Sequence, residues 1–298
     1  MPFPSTFPNL SLSALSLSTL SQADHKRIRA LQKRAGREEQ QLCTLEGEHL
    51  CAEYVNYRQH TIGSETIRLH TVIVPTDELP PQIVLLTKDL AALGAKVYAT
   101  SPQKFALLCD TATPQSILAV IDMPEQPFVN NAPILVLDGV ADPGNVGTII
   151  RTADWFGVRN ILLGEGCADR FSPKTLRSTM GSIFRTAVHC TNDLATTLHT
   201  SFAGYTLWGA SLQGAVPLEK LRKNVFARES RNYGIVLGNE ARGISLKVQQ
   251  CLTGKFKIRG GEGGAESLNV AIAAGIVLHE LSNFPQLSST SEMDDNSG

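Results

Sequence analysis

The stretch LDGVADPGNVGTIIRTADWFGV, Leu137 to Val158, decides how this chain folds. It begins inside an apolar run, ILVLDG, breaks at Asp142-Pro143-Gly144-Asn145, and resumes with helical periodicity. Val146, Ile149, Ile150, Ala153 and Phe156 recur at the spacing of one buried helix stripe. At about 100° per residue, Arg151 points roughly 160° away from the centre of that stripe. Pro143 fixes φ and Gly144 permits a positive one, so the break is a turn, with Asn145 placed to cap the helix behind it. Buried strand, turn and amphipathic helix together make one unit of α/β architecture.

The same unit repeats downstream. ILVLDG, NILLG, TAVHC, YTLWGA, YGIVLG and KFKI read as short strands, and 145–156, 173–181, 192–202, 245–252 and 267–282 as helices. Strands with no polar alternation, interleaved with helices, predict a mostly parallel sheet covered on both faces. In such sheets ligands sit beyond the carboxyl ends of the strands. Upstream the pattern is mixed α/β: a helix near Glu46–Tyr57, a strand at TVIVP, a helix near Gln82–Leu93, and strands at KVYAT and SILAVID. The proline-bearing connector MPEQPFVNNAP, Met123–Pro133, divides the two halves. The expected organisation is a loosely ordered leader 1–24, a small α/β domain 25–124, a linker 125–132, a second domain 133–284 and a disordered polar tail 285–298.

A length of 298 residues suits two domains, and 42% hydrophobic with 18% charged residues is the composition of a globular protein. The net charge of -1 carries no global nucleic-acid signal, so any such role must come from local charge. No apolar run approaches the ~18 residues that span a bilayer. The first 23 residues contain no charge, which fits neither the basic start of a secretion signal nor an arginine-bearing mitochondrial presequence, so a cytoplasmic protein is expected. The six cysteines show no CxxC pair or zinc spacing, and there is no HExxH; reduced thiols and no metal are expected. Local charge does appear at Lys26, Arg27, Arg29, Lys33, Arg34 and Arg37, a run without an acid on a short helix edged by Ile28 and Leu31. Two readings of it stay open, a solvated helix face and a phosphate-contacting RNA surface.

Three glycine-rich bends fall at strand ends. The first is Asp142–Asn145; the second lies in YGIVLGNEARGIS, where Asn239 and Glu240 project beyond Gly238; the third is KIRGGEGGAESLNV, leading into a helix that starts near Ser267 and Asn269. Glycines at strand ends leave backbone N–H and C=O groups open to a ligand, and a Ser/Asn helix start suits an anionic group. GxxxxGK[ST], GxGxxG and GxSxG are all absent. From the residues alone one reaches a nucleoside-like ligand held by backbone with Asn, Glu, Ser and Arg nearby, but not a reaction. Ala271, Ala274, Gly275 and Leu278 form a small-residue stripe suited to a close helix–helix contact.

In that order and spacing, LDGVADPGNVGTIIRTADWFGV, IVLGNEARGIS and ESLNVAIAAGI closely resemble the three motifs of the SpoU (TrmH-like) family of SPOUT RNA methyltransferases. FSPKTLRSTMGSIFRTAV between the first two motifs is similar as well, and REEQQLCTLEGEHL with DTATPQSILAV looks like that family's substrate-binding domain, so the resemblance runs from about residue 25 to 283. It implies transfer of a methyl group from S-adenosylmethionine to a ribose 2′-hydroxyl of rRNA or tRNA, a deep trefoil knot in the second domain, and a homodimer whose interface would use the stripe at Ala271, Ala274 and Gly275. Trp155 would then be covered by the partner or stacked on RNA. It further implies cofactor contacts from Leu237, Gly238, Asn239, Ile258, Leu268 and Asn269, and catalytic positions at Asn145, Arg151, Glu240, Ser267 and Asn269.

Within that scheme a guanidinium stays protonated, so Arg151 is expected to bind the phosphate beside the target ribose and stabilise the developing alkoxide rather than remove a proton. Asn145 would orient Arg151 or the ribose, Glu240 fix the motif loops, and Ser267 and Asn269 shape the site. Lys26, Arg27, Lys33, Arg34 and Arg37 would contact RNA. Many relatives carry Ile-Pro-Met where this chain has Ile258-Arg259-Gly260, and a glycine is common in place of Ala241. Two rival readings are an RNA-binding protein on the same fold that has lost catalysis, and a nicotinamide-dependent oxidoreductase, which lacks its fingerprint.

Overall fold

The computed structural model describes residues 17–61, 67–213, 215–226, 232–261 and 265–282. Its first half contains β1 (Ser18–Thr19), α1 (Gln22–Ala30), α2 (Arg34–Gln40), β2 (Leu42–Glu46), α3 (Glu48–His60), β3 (Leu69–Pro75), α4 (Pro81–Ala92), β4 (Lys96–Thr100), α5 (Pro102–Ala106) and β5 (Leu118–Asp122). These strands form one mixed sheet in the order β1-β4-β3-β5-β2, with β5 antiparallel to both its neighbours. Ser21 caps α1 by accepting from the Asp24 N–H at 3.1 Å, and Ile28 and Leu31 are buried beneath it. The ordered fold therefore starts earlier than a leader of residues 1–24 allows: Ser18–Thr19 pairs with β4, and Leu20 is buried. The first sixteen residues and the tail 285–298 lie outside the described residues.

The basic run is two helices rather than one, and it corrects one expectation. Arg37 does not face solvent for RNA: it is buried, donating to the Leu31 carbonyl at 2.6 Å and to the Asp169 carboxylate of the second half. Lys26, Arg27, Lys33 and Arg34 are exposed; Arg34 pairs with Glu38 at 2.7 Å and Arg27 stands 3.9 Å from Asp24.

The second half contains β6 (Ile134–Asp138), α6 (Pro143–Trp155), β7 (Asn160–Leu163), α7 (Pro173–Thr179), β8 (Ala187–Cys190), α8 (Leu194–Ser201), β9 (Thr206–Ala210), β10 (Val216–Pro217), α9 (Leu218–Phe226), β11 (Tyr233–Gly238), α10 (Leu246–Gln249), β12 (Gly254–Lys257) and α11 (Val270–Ser282). Its seven strands are all parallel, in the order β10-β12-β9-β11-β6-β7-β8. Strand order runs outward from β6 in one direction through β7 and β8, then restarts on its other side. The reversal lies between β6 and β11, the topological switch point at which open α/β sheets hold ligands. α11 packs against α6, so α11 lies on the β6 side although it follows β12 in the chain.

That packing also uses up the small-residue stripe. Ala271, Ala274 and Leu278 are buried, and a Cβ added at Gly275 would stand 3.8 Å from the Thr152 methyl of α6. The stripe serves a contact inside the chain and not the partner interface expected for it. The exposed apolar side chains in this region are instead Trp155, Leu268, Ile272 and Ile276.

Three arginines join the halves. Arg37 reaches Asp169; Arg177 donates to Glu46 at 3.0 Å and Asp110 at 2.7 Å; Arg185 donates to Asp154 at 2.9 Å and Glu53 at 3.1 Å. Glu46 is buried and also accepts from the Asp110 and Thr111 N–H groups and the Thr111 hydroxyl, so its charge is well compensated. Residues of the connector are held too: Asn160 exchanges two 2.8 Å hydrogen bonds with the Val129 backbone, and Phe128 stacks on His189.

Candidate active site at the switch point

β6 and β11 end side by side, with Asp138 in register with Gly238. Two bonds tie the loops that follow them. Asn239 Nδ2 donates to the Gly139 carbonyl at 2.7 Å, and the Ser245 N–H donates to Asp138 Oδ2 at 2.6 Å. The second loop folds back on itself: Asn239 and Gly243 exchange backbone bonds of 3.1 and 2.8 Å, and Asn239 Oδ1 accepts from the Ala241 and Arg242 N–H groups. Gly238 makes this hairpin possible. A Cβ there would lie 2.2 Å from the Gly243 carbonyl carbon and 2.3 Å from the Ile244 nitrogen, both backbone atoms. The tip so formed carries Glu240.

Helix α6 enters from the first loop, but Asn145 does not cap it. Asp142 does, its carboxylate accepting from the Asn145 N–H at 2.9 Å and pairing with Lys174 at 3.1 Å. The Asn145 N–H bond, then Lys174, hold the Asp142 carboxyl below the usual carboxylate range. With the cap supplied by its neighbour, the Asn145 side chain is left to bridge the other two loops. Its Nδ2 donates to Glu240 Oε1 at 2.8 Å, and its Oδ1 accepts from Asn269 Nδ2 at 3.0 Å. Asn269 caps α11 through Oδ1, which accepts from the Ala271 and Ile272 N–H groups at 2.9 and 3.3 Å.

The orientation of every amide in this relay follows from one charge. An ionised Glu240 only accepts, so Asn145 must present its NH₂ to it and its oxygen to Asn269. Asn269 must then present its own oxygen to the helix start, where acceptors are favoured. Three loops far apart in sequence are thereby locked into one arrangement.

Beside the relay lies a cavity of about 690 Å³, within the range that encloses a nucleoside-sized ligand. Leu237, Gly238, Asn239, Ile258 and Leu268, expected at a cofactor, all line it, as do Glu240 and Ser267. Asn269, also expected there, is not a lining residue but stands on the Asn145 side. Arg151 lies outside the cavity wall, exposed on α6, with no hydrogen bond or ion pair among the described residues. The loop Ala210–Gln213 after β9 also lines the cavity and was missed from sequence. Its signal was available, since YTLWGA is a strand whose carboxyl end borders β11. Residues 262–264 of the glycine-rich third bend lie outside the described residues. Among the described residues no group of three or more His, Cys, Asp or Glu could hold a metal ion.

Residues 132–279 match the model of the SpoU rRNA Methylase family, and residues 24–119 match an MRM3-like substrate binding domain. The 23S rRNA (guanosine(2553)-2′-O)-methyltransferase RlmP of Bacillus subtilis is 32% identical over 237 residues, which is 80% of this chain and 87% of the relative. The chain belongs to the SpoU rRNA methylase family. The resemblance carried by the three motifs is thus borne out, as is the mixed α/β fold with its parallel sheet. Among solved structures, a putative RNA methyltransferase of the TrmH family from Porphyromonas gingivalis superimposes on this SpoU chain with a TM-score of 0.70 at 32% identity, covering 89% of this chain and 98% of the other. An AdoMet-bound rRNA methyltransferase from Sinorhizobium meliloti gives 0.72 at 26% identity, covering 89% and 96%.

Proposed function

We propose that this chain methylates the 2′-hydroxyl of a ribose in rRNA or tRNA, with S-adenosylmethionine as donor. The relatives acting on 23S rRNA and the AdoMet-bound neighbour support that reading, and they favour rRNA. The observation that carries it in this chain is the Glu240–Asn145–Asn269 relay, which joins the three family motifs beside the cavity. The donor fits the cavity chemically. Leu237, Ile258 and Leu268 offer apolar walls to a flat base, and Gly238 leaves main-chain groups unobstructed for its edge. When bound, S-adenosylmethionine supplies an electrophilic methyl group on a sulfonium.

The remaining work falls to side chains. Arg151, with no competing partner among the described residues, holds the phosphate next to the target ribose and stabilises negative charge as the hydroxyl loses its proton. Asn145 and Glu240 keep the first and second loops at fixed separation, and Asn269 with Ser267 shapes the third. Lys26, Arg27, Lys33 and Arg34 supply phosphate contacts from the first domain. The exposed apolar set Trp155, Leu268, Ile272 and Ile276 is the surface on which a second copy would pack, giving a homodimer. The second half is read as carrying a deep trefoil knot, as its family resemblance implies. The bacterial rRNA-modifying relative supports a cytoplasmic location.

The test is methyl transfer from labelled S-adenosylmethionine to total RNA, followed by nuclease digestion and detection of 2′-O-methylated nucleosides. Arg151→Ala should abolish turnover yet leave donor binding intact. Turnover surviving within about tenfold, ~1.4 kcal/mol of barrier, would refute the role of Arg151. Donor binding with no turnover on any RNA would favour the silent RNA-binding reading.

A further inference from the structure

The charge of the cavity does not match its proposed occupant, a mismatch that rests on the methyltransferase reading. S-adenosylmethionine carries a sulfonium, an ammonium and one carboxylate, hence a net charge of about +1 at neutral pH. The described lining residues include four cations, Arg242, Lys255, Lys257 and Arg259, against two carboxylates, Glu240 and Glu266. A cationic ligand entering a cationic cavity is opposed unless negative charge arrives with it.

The cations differ in their engagement. Lys255 is half-buried and donates to Gln249 Oε1 at 2.7 Å. Arg242, Lys257 and Arg259 are exposed and make no hydrogen bond or ion pair among the described residues. They come from two separate segments, the tip after β11 and the segment leading from β12 to α11, yet border one cavity. Arg151 is not part of this rim. Two forked guanidinium groups and an ammonium, unpaired around a site whose other ligand is a polyanion, are suited to phosphate.

We propose that Arg242, Lys257 and Arg259 form a phosphate-binding rim that engages the RNA strand at the cavity mouth and, by neutralising its excess positive charge, couples donor binding to RNA binding. By linkage the coupling is reciprocal: RNA tightens the donor by the factor with which the donor tightens RNA.

The experiment uses the full chain and the variant K257Q/R259Q. Fluorescence anisotropy with a mixed-sequence single-stranded RNA oligonucleotide, across a potassium chloride series, should show log K against log salt flattened by about 1.4, at about 0.7 for each phosphate no longer neutralised. Calorimetry with S-adenosylmethionine and no RNA should show tighter binding in the variant, roughly two- to fourfold, because two repulsive charges are gone; unchanged affinity would overturn the coupling. S-adenosylhomocysteine, which lacks the sulfonium charge, should respond less. An unchanged salt slope would overturn the rim. A tenfold or greater loss of donor affinity would also overturn it, by placing these side chains on the donor carboxylate. Failure of the unsubstituted protein to bind the donor would refute the methyltransferase reading itself, and the RNA slope would still decide whether the rim contacts phosphate.

Discussion

Replacing Gly238 by Ala tests the site at its tightest backbone contact. The added methyl carbon would sit 2.2 Å from the Gly243 carbonyl carbon, whereas ordinary contact begins at 3.4 Å, so the tip must retreat by roughly 1.2 Å. Retreat breaks the Asn239–Gly243 bond pair of 3.1 and 2.8 Å. At about 1 kcal/mol for each bond and a further ~1–3 kcal/mol for overpacking, the cost is roughly 3–5 kcal/mol. At about 2–4 °C per kcal/mol that lowers Tm by roughly 6–20 °C. Glu240 rides on the same tip. Its 2.8 Å bond to Asn145, stretched along its length by that displacement, reaches roughly 4.0 Å and is no longer a hydrogen bond. A displacement of about 1 Å in a positioned catalytic group costs on the order of 10²-fold in rate. Single-turnover methyl transfer and differential scanning calorimetry read the two effects, and donor calorimetry separates lost chemistry from lost binding. A G238A protein that turns over within about twofold of its parent and melts within about 2 °C of it would refute the reasoning.

Three further outcomes are expected. Arg177→Ala removes the guanidinium facing the buried Glu46 carboxylate and should cost about 2–4 kcal/mol in urea unfolding; recovery of about half that loss in the E46Q/R177A pair would confirm that the cost is an orphaned charge. The Asp142 carboxyl titrates below its unfolded value, so its stabilising contribution is present above about pH 4 and is lost as pH falls through the folded value; stability of the parent should therefore decline faster than that of D142N on acidification, and parallel curves would count against the cap. Burial raises the Cys51 and Cys109 thiols to about 12 and Cys167 to about 11, so in a thiol titration at pH 8 the exposed Cys190 should react first, and the buried Cys43, Cys51 and Cys109 only after unfolding.

Strands such as KVYAT and YGIVLG were legible because a buried parallel strand is a short apolar run bounded by turn residues, and both lie where the pattern placed them. LCTLE was not. Its five residues lie between the helix formers of REEQQ and EHLCAE, too short a run to mark a period, and pairing with β5 across the first sheet makes it β2. Helix α9 was legible but is absent from the expected helices: Leu218, Leu221 and Val225 form a helical stripe, with its charged residues on the other faces. The motif residues could be named through the family resemblance, but not the relay that joins them. Asn145 lies 95 residues from Glu240 and 124 from Asn269, and no local propensity spans such distances. Arg37 shows the same limit in reverse: in a linear charge count it resembles its neighbours, and its partner Asp169 is 132 residues away.

The arginine ties between the halves make the molecule a caliper set to one width. Each tie pairs a guanidinium with a carboxylate of the opposite half, so the ties set the span between the basic helices of the first half and Arg151 of the second. With the RNA contacts proposed above, an RNA that meets both jaws must already be folded to that gauge. On that proposed reading, the choice of nucleotide rests on the contour of the transcript before the order of its bases.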